Sequence, residues 1–394
     1  MSILHCNLDM KYIRTLANSI EKTKSSVLLL GPRQTGKSTL IKYLEPELII
    51  NLAQEKTFLQ FSSQPDLLEQ IILEKKPKTV FIDEIQRLPS LLNTIQSIID
   101  DHPKKIKFYL TGSSARKLRR GSANLLPGRI ISFQMSPLTV EELNYKLNLD
   151  AAIAYGTLPG IFTETNKKEK ELVLSTYGAT YLKEEVQAEA LTKNIEGFSR
   201  FLFVVAAKNG EFLDYAKLGN QAGITQKTAT RFFEILEDSL LVFRLESYSK
   251  NSFRRLVQHP KYYFFDTGVL NSLIGSYKIS ADRRGYLFES WIITSIRNLL
   301  VSKTTNFRMS TYRSASGAEV DLILNIGDIE LAIEIKASQN VGKSDLLGLI
   351  SFAEVSENSP TKMIIYLGEY ARKINDVSVL PYLQALKQIV KYFD

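Results

Sequence analysis

Gly31-Pro32-Arg33-Gln34-Thr35-Gly36-Lys37-Ser38 fits the pattern G-x-x-x-x-G-K-[ST]. An apolar run, Val27 to Leu30, precedes it and a helical stretch, Thr39 to Leu44, follows. Strand, loop and helix in that order are the context a phosphate-binding loop needs. The glycines permit a tight backbone path, so that backbone N–H groups and the helix N-terminus face an anion. Gly31, Pro32, Arg33, Gln34, Thr35, Gly36, Lys37, Ser38 and Thr39 are therefore expected to bind a nucleotide. Lys37 is expected to reach the β- and γ-phosphates of the nucleotide, and Ser38 to ligate Mg2+.

A second element lies downstream. Thr79-Val80-Phe81-Ile82-Asp83-Glu84 reads as an apolar strand ending in two acids. In sites of this class such a strand is expected beside the P-loop strand. Asp83 would hold Mg2+ through water, and Glu84 would polarise the attacking water as general base. A third element is Phe108-Tyr109-Leu110-Thr111-Gly112-Ser113-Ser114. A polar residue ending this strand can sense the γ-phosphate, and Thr111, Ser113 and Ser114 all remain candidates. Arg129, after Leu126-Pro127-Gly128, is a candidate arginine finger acting on a neighbouring subunit's ATP; the alternative is a surface arginine.

Around these motifs the first half alternates apolar strands (Val27–Leu30, Leu48–Leu52, Thr79–Asp83, Ile106–Thr111, Arg129–Met135) with helical patterns such as Leu67–Glu74 and Leu91–Ile99. That alternation predicts a parallel sheet covered on both faces. Glu141 to about Glu196 reads as mostly helical, broken at Gly156-Thr157-Leu158-Pro159-Gly160, and suits a lid beside a nucleotide. At 394 residues the chain is too long for one typical core. Its 44% apolar and 23% charged residues are those of an ordinary globular protein. No run of about 18 apolar residues is present, so no membrane span is expected. Cys6 is the single cysteine, which excludes an intramolecular disulfide and a multi-cysteine zinc site and fits a cytoplasmic setting. The net charge of +8 mildly favours a polyanionic partner. Arg116, Lys117, Arg119 and Arg120 are a candidate DNA-facing loop, or a solvated one.

Tyr215 to Gly219 begins a short helix, Ala222-Gly223-Ile224 makes a turn, and Thr225 can cap the next helix. There Ala229, Phe232, Phe233 and Leu236 repeat at i, i+3, i+4 and i+7. Gln226, Lys227, Thr230 and Arg231 are left on the outer face. Leu240 to Leu245 follows as a wing-like strand, with Lys250, Arg254 and Arg255 beyond. The pattern reads as a winged helix, whose outer face suits a DNA groove or a protein partner.

Near the end, Glu319-Val320-Asp321-Leu322-Ile323-Leu324 and Leu331-Ala332-Ile333-Glu334-Ile335-Lys336 read as two strands of a hairpin turning at Asn325–Asp328. Period two puts Glu334 and Lys336 on one face, and the partner strand can bring Asp321 beside them. Two carboxylates and a lysine suit metal-assisted phosphodiester hydrolysis, with Asp321 and Glu334 as metal ligands and Lys336 orienting water. A helical Glu289, in Gly285-Tyr286-Leu287-Phe288-Glu289-Ser290-Trp291, can join them. The set resembles the PD-(D/E)XK nuclease motif. A hairpin with ordinary surface charges is the plain alternative.

Taken in order, these pieces resemble the prokaryotic AAA-type ATPases whose C-terminal half is a domain of unknown function. The ATPase motifs above and Gly128-Arg129 match the first half of that family. Lys261-Tyr262-Tyr263-Phe264-Phe265-Asp266-Thr267-Gly268, Glu319-Val320-Asp321 and Ile333-Glu334-Ile335-Lys336 match the second. The resemblance spans about Leu16 to about Ala353. It implies an α/β multidomain fold: a P-loop AAA-type core over 1–140, a helical lid over 141–196, a winged helix over 197–262 and a restriction-endonuclease-like α/β domain over 263–394. It implies adenine over guanine, and, with Arg129 acting in trans, a homo-oligomeric ring of about six subunits. The expected function is a Mg2+-dependent ATPase acting on DNA in repair, recombination or defence, with the C-terminal domain cleaving DNA or clamping it. The alternative is an ATP-operated switch whose winged helix and C-terminal domain bind protein partners.

Overall fold

Five apolar runs make the first sheet, β1 (Ser26–Leu30), β2 (Leu48–Asn51), β3 (Thr79–Asp83), β4 (Lys107–Gly112) and β5 (Ile130–Gln134). The computed structural model of the chain describes residues 12–101, 106–113, 128–178, 194–248 and 259–393. Cys6, Ser114, the basic stretch Arg116 to Arg120, Leu126, Pro127, Lys250, Arg254 and Arg255 lie outside the described residues. The chain divides into two units: Met1–Leu138 with Asp238–Leu240 and Val301–Thr304, and Thr139–Glu237 with Leu241–Leu300 and Thr305–Asp394.

In the first unit the sheet order is β2-β3-β4-β1-β5, and each neighbouring pair is parallel. Alternate residues serve opposite faces, as the pleat requires. Leu28, Val80, Ile82, Phe108 and Leu110 enter one core with Leu68 and Ile72 from the helix Leu67–Lys75 and Leu92, Ile95 and Ile98 from Leu91–Asp101. Val27, Leu29, Phe81, Tyr109 and Phe133 enter the other with Leu16 and Ile20 from Leu16–Lys22 and Leu40 and Ile41 from Lys37–Tyr43. Burial on both faces is why the inner strands β1, β3 and β4 read as unbroken apolar runs, while the edge strands β2 and β5 leave Ile49 and Ile131 exposed. One expectation is corrected. The Asp83 strand, β3, does not lie beside the P-loop strand β1, because β4 is inserted between them. Thr111, at the end of β4, fills the resulting gap by donating a hydrogen bond to Asp83.

In the second unit, helices Leu149–Tyr155, Pro159–Thr163 and Lys167–Thr176 come first, interrupted at Gly156-Thr157-Leu158. Asn148 and Asn166 cap the first and third, accepting from Ala151 and Lys168 amides at 2.9 Å each. Helix Ile195–Ala207 follows, then Tyr215–Ala222, capped by Asp214, and Gln226–Asp238. Thr225 Oγ1 accepts from the Thr228 amide at 3.2 Å, and Ala229, Phe232, Phe233 and Leu236 are fully buried.

β6 (Val242–Ser247) pairs antiparallel with β7 (Lys261–Phe264), but it also pairs in parallel with β8 (Phe307–Arg313). The expected wing strand is therefore no free ribbon: it is built into a sheet of order β12 (Arg372–Ile374), β13 (Val377–Pro381), β11 (Thr361–Tyr366), β10 (Ile329–Lys336), β9 (Glu319–Ile326), β8, β6, β7. β9 (Glu319–Ile326) and β10 (Ile329–Lys336) form the hairpin, tightened to a turn at Gly327-Asp328. β11 (Thr361–Tyr366), β12 (Arg372–Ile374) and β13 (Val377–Pro381) continue the sheet. Helix Ala281–Ser302 contributes Leu287, Phe288, Ile292, Ile293 and Ile296 to the same core as Leu322, Leu324, Leu331 and Ile333 of the hairpin. The boundary expected between 262 and 263 falls inside β7.

Candidate functional site

The P-loop leaves β1 at the half-buried Leu30 and turns into the helix Lys37–Tyr43. Its path needs small residues. A Cβ on Gly31 would stand 2.5 Å from the Met135 carbonyl oxygen, and Gly36 adopts φ +91°, a left-handed conformation that glycine takes without steric cost. Lys37 Nζ donates to the carbonyls of Gly31 and Pro32 at 2.8 and 2.9 Å, which centres the ammonium within the loop. Thr35 Oγ1 donates to Pro32 O at 2.8 Å and closes it. Pro32, Thr35 and Lys37 are buried, Ser38 is half-buried, and Arg33, Gln34 and Thr39 are exposed.

Ser38 Oγ donates to Asp83 Oδ1 at 2.7 Å, and Thr111 Oγ1 donates to the same oxygen. The helix following the loop is thus tied to the ends of β3 and β4. Glu84 is left-handed, with φ +60°, and its amide donates to Thr111 Oγ1 at 3.2 Å. That conformation carries some backbone strain for a non-glycine residue. Gln86 Nε2 donates both to the Glu84 carboxylate and, at 3.1 Å, to Ser113 Oγ. The P-loop, Asp83, Glu84 and Ser113 are thus joined in one network.

Two arginines make charged contacts in this unit: Arg14 beside the loop, and Arg129 just ahead of Ile130, which pairs with Ser26 at the opposite end of β1. Arg14 is buried; its Nη1 donates to Thr35 O at 2.7 Å and its Nη2 to Ser136 O at 2.6 Å and Pro137 O at 3.3 Å. No local pattern marks Arg14, since its partners lie 21 to 123 residues away. Arg129 grips Asp100 through two contacts, Nε–Oδ1 at 2.5 Å and Nη2–Oδ2 at 3.0 Å. That hydrogen bond holds the Asp100 carboxyl below its ordinary range.

In the second unit the β9–β10 ladder ends at Leu322–Ile333. Beyond it, Asp321 Oδ2 accepts from the Ile335 amide at 2.7 Å, which sets Asp321 across from Glu334. Lys336 Nζ donates to Glu334 Oε1 at 2.7 Å; Glu334 Oε2 is buried without a hydrogen-bond partner among the described residues. Glu289, from helix Ala281–Ser302, accepts from Tyr263 OH at 2.6 Å and lies 3.7 Å from Lys261 Nζ. Burial, then the negative charges of Glu289 and Glu334, push the Asp321 carboxyl well above its ordinary range. Burial also raises Glu334. Burial pulls Lys336 down, but the hydrogen bond and negative charge of Glu334, with the charges of Asp321 and Asp345, together outweigh it and hold Lys336 above its ordinary value. Glu289, Asp321, Glu334 and Lys336 are therefore brought into one electrostatic cluster. No group of three or more His, Cys, Asp or Glu among the described residues is set to hold a metal ion. The cluster sets the two carboxylates of Asp321 and Glu334 beside the ammonium of Lys336. Lys261 and Tyr263 went unnoticed in the sequence, where their stretch stood only as a resemblance; strand alternation, which turns residues 261 and 263 the same way, was the available signal.

On the helix Gln226–Asp238, Gln226, Lys227 and Arg231 are exposed, while Thr230 is half-buried and donates to Gln226 O at 3.0 Å. No helix among the described residues is long and apolar enough to cross a membrane.

Residues 23–144 match the family described as an AAA domain. Residues 146–279 and 284–385 match two families each described as a domain of unknown function, DUF8612 and DUF4143. An uncharacterized protein of Mycobacterium tuberculosis is 26% identical over 363 residues, covering 90% of this chain and 79% of that one. An uncharacterized protein of Haemophilus influenzae is 23% identical over 278 residues, covering 63% and 69%. Among solved structures, C. elegans PCH-2 aligns with 57% of this chain and 66% of its own, at 14% identity and a TM-score of 0.28, too slight a likeness to argue from.

Proposed function

We propose that this chain, which carries an AAA-type ATPase domain over residues 23–144, is a magnesium-dependent ATP hydrolase that acts on DNA. The observation carrying the reading is the joint hold of Ser38 and Thr111 on Asp83, which gathers the P-loop and the acidic strand end into one place. A hydroxyl and a carboxylate oxygen 2.7 Å apart are hard donors that suit Mg2+. Ser38 would hold the ion directly and Asp83 through water, and the ion supplies neutralisation of the phosphate charge. Lys37 and the loop amides bind the β- and γ-phosphates. Glu84 takes a proton from water as the water oxygen bonds to the γ-phosphorus. The bridging P–O bond breaks and ADP leaves with its electron pair. Ser113 would contact the γ-phosphate, and Arg129 would act as a finger between subunits of a homo-oligomer.

The DNA part rests on the net charge of +8 and on exposed Lys227 and Arg231, on a helix whose opposite side is core. The C-terminal part rests on Asp321, Glu334, Lys336 and Glu289. Asp321 and Glu334 would hold a second Mg2+, and Lys336 would orient the water that attacks a phosphodiester.

The test is ATP turnover with Mg2+, alone and with single-stranded, duplex or branched DNA, with the DNA then run on a gel. Stimulation by one DNA form is expected. Turnover indifferent to every DNA, with no cleavage, would sink the DNA reading and leave an ATP-operated switch that binds proteins.

A further inference from the structure

Gln86 is 7% exposed, and its amide sits between Glu84 and Ser113. Its Nε2 donates to both, while its Oε1 is buried with no hydrogen-bond partner among the described residues. A side chain kept only for packing would be apolar here, because an unsatisfied buried carbonyl costs stability. The amide is therefore kept for its N–H group. Its surroundings agree. A Cβ on Gly112 would come within 3.0 Å of Oε1, so the end of β4 is shaped around the amide.

Glu84 is held at both ends by the same strand terminus. Its backbone amide goes to Thr111, and its carboxylate goes through Gln86 to Ser113. Thr111 is already occupied, since its hydroxyl donates to Asp83 and accepts from Glu84. The tip of β4 thus divides its work: Thr111 serves the metal-side carboxylate, and Ser113 serves the base.

We infer that Gln86 is a positioning residue for hydrolysis, aiming the Glu84 carboxylate and coupling it to Ser113, the group placed to meet the γ-phosphate. The inference rests on the reading of Glu84 as general base. Gln86 touches neither nucleotide nor water in this scheme; it fixes which Glu84 oxygen is free to accept the proton. Movement of Ser113 toward a γ-phosphate would reach Glu84 through a single amide.

The experiment uses the full chain as wild type, Gln86→Met, Gln86→Ala, Glu84→Gln, Ser113→Ala and the Gln86→Met/Ser113→Ala double variant. Gln86→Met keeps volume and removes the N–H donor; Gln86→Ala serves if Met fails to pack. Readouts are kcat and KM for ATP and the Kd of a non-hydrolysable ATP analogue. For Gln86→Met, kcat is expected to fall on the order of 10- to 100-fold, part of what a positioned base contributes, with Kd within about twofold of wild type. The double variant is expected to be no slower than the slower single, because residues acting as one unit are not additive. Wild-type kcat in both Gln86 variants, or losses that multiply in the double variant, would overturn the coupling. A loss confined to analogue binding would do the same. If Glu84→Gln turns over like wild type, the general-base reading fails first and this inference goes with it. If Glu84→Gln is inactive while both Gln86 variants are normal, this inference alone fails.

Discussion

Ser38 Oγ and Asp83 Oδ1, 45 residues apart in the chain, meet at 2.7 Å although a whole strand separates β1 from β3. Bridging that gap from the P-loop side is the work of one hydroxyl. Ser38→Ala and Asp83→Asn are each expected to cut ATP turnover on the order of 100-fold and to weaken its dependence on Mg2+. Turnover titrated against Mg2+ checks this; an unchanged titration in both variants would put the ion elsewhere.

Arg14 is expected to matter as much for the loop as for the fold. Arg14→Ala removes the donor to the carbonyls of Thr35 and Ser136, while that of Pro137 keeps the Ser136 hydroxyl, a loss of about 2–4 kcal/mol in unfolding free energy. Arg14→Lys keeps the charge but not the planar fork, so partial loss is expected. Denaturant unfolding and nucleotide Kd should both report it, and a variant as stable as wild type with normal affinity would show that Arg14 is dispensable.

At the C-terminal cluster, Asp321→Ala and Lys336→Ala are expected to abolish DNA cleavage while ATP turnover and DNA binding persist. A gel assay beside a binding assay separates the two. Cleavage that survives both substitutions would assign it to other residues.

Asp266 carries a pH signature. Its carboxylate accepts from the amides of Thr157 at 2.8 Å, Gly268 at 2.9 Å and Val269 at 3.1 Å, yet burial still raises it from 3.8 to about 6. A carboxyl whose pKa is raised on folding holds its proton more tightly in the folded state. Its contribution to stability is therefore full below about pH 4 and is lost as pH climbs through about 6, an effect on the order of 3 kcal/mol. Melting temperatures from pH 4 to 7 should show a descending component in wild type that Asp266→Asn lacks. Parallel curves for the two proteins would count against it.

Much of the first unit was legible because its physics is local. Strands buried on both faces must be apolar runs, and a phosphate loop must carry Gly31, Gly36 and Lys37 at fixed spacing. Strand order was not legible, since pairing β4 between β3 and β1 depends on contacts far apart in sequence. β8 was missed because its buried residues include Ser310 and Thr311, whose hydroxyls blur the apolar pattern. β12 has three residues, two of them exposed, and leaves almost no trace. In the second unit the Glu334–Lys336 spacing was readable from period two, whereas Tyr263 on Glu289 joins a strand to a helix 26 residues on. Gln86 escaped notice because one glutamine after two acids has no signature of its own; only its two acceptors reveal it.

β6 leaves the helix Gln226–Asp238 and enters the large sheet beside β8. A hinge between the helix–turn–helix and the C-terminal hairpin would have to break backbone hydrogen bonds, not bend a tether. Force or rotation applied at Lys227 and Arg231 would thus pass as strain along the ladder. For the same reason a fragment starting at 263 would bare β8 as a sticky edge and invite self-association. Cutting the chain is a poor way to ask what either part does; point substitutions within the intact sheet are the sounder tool.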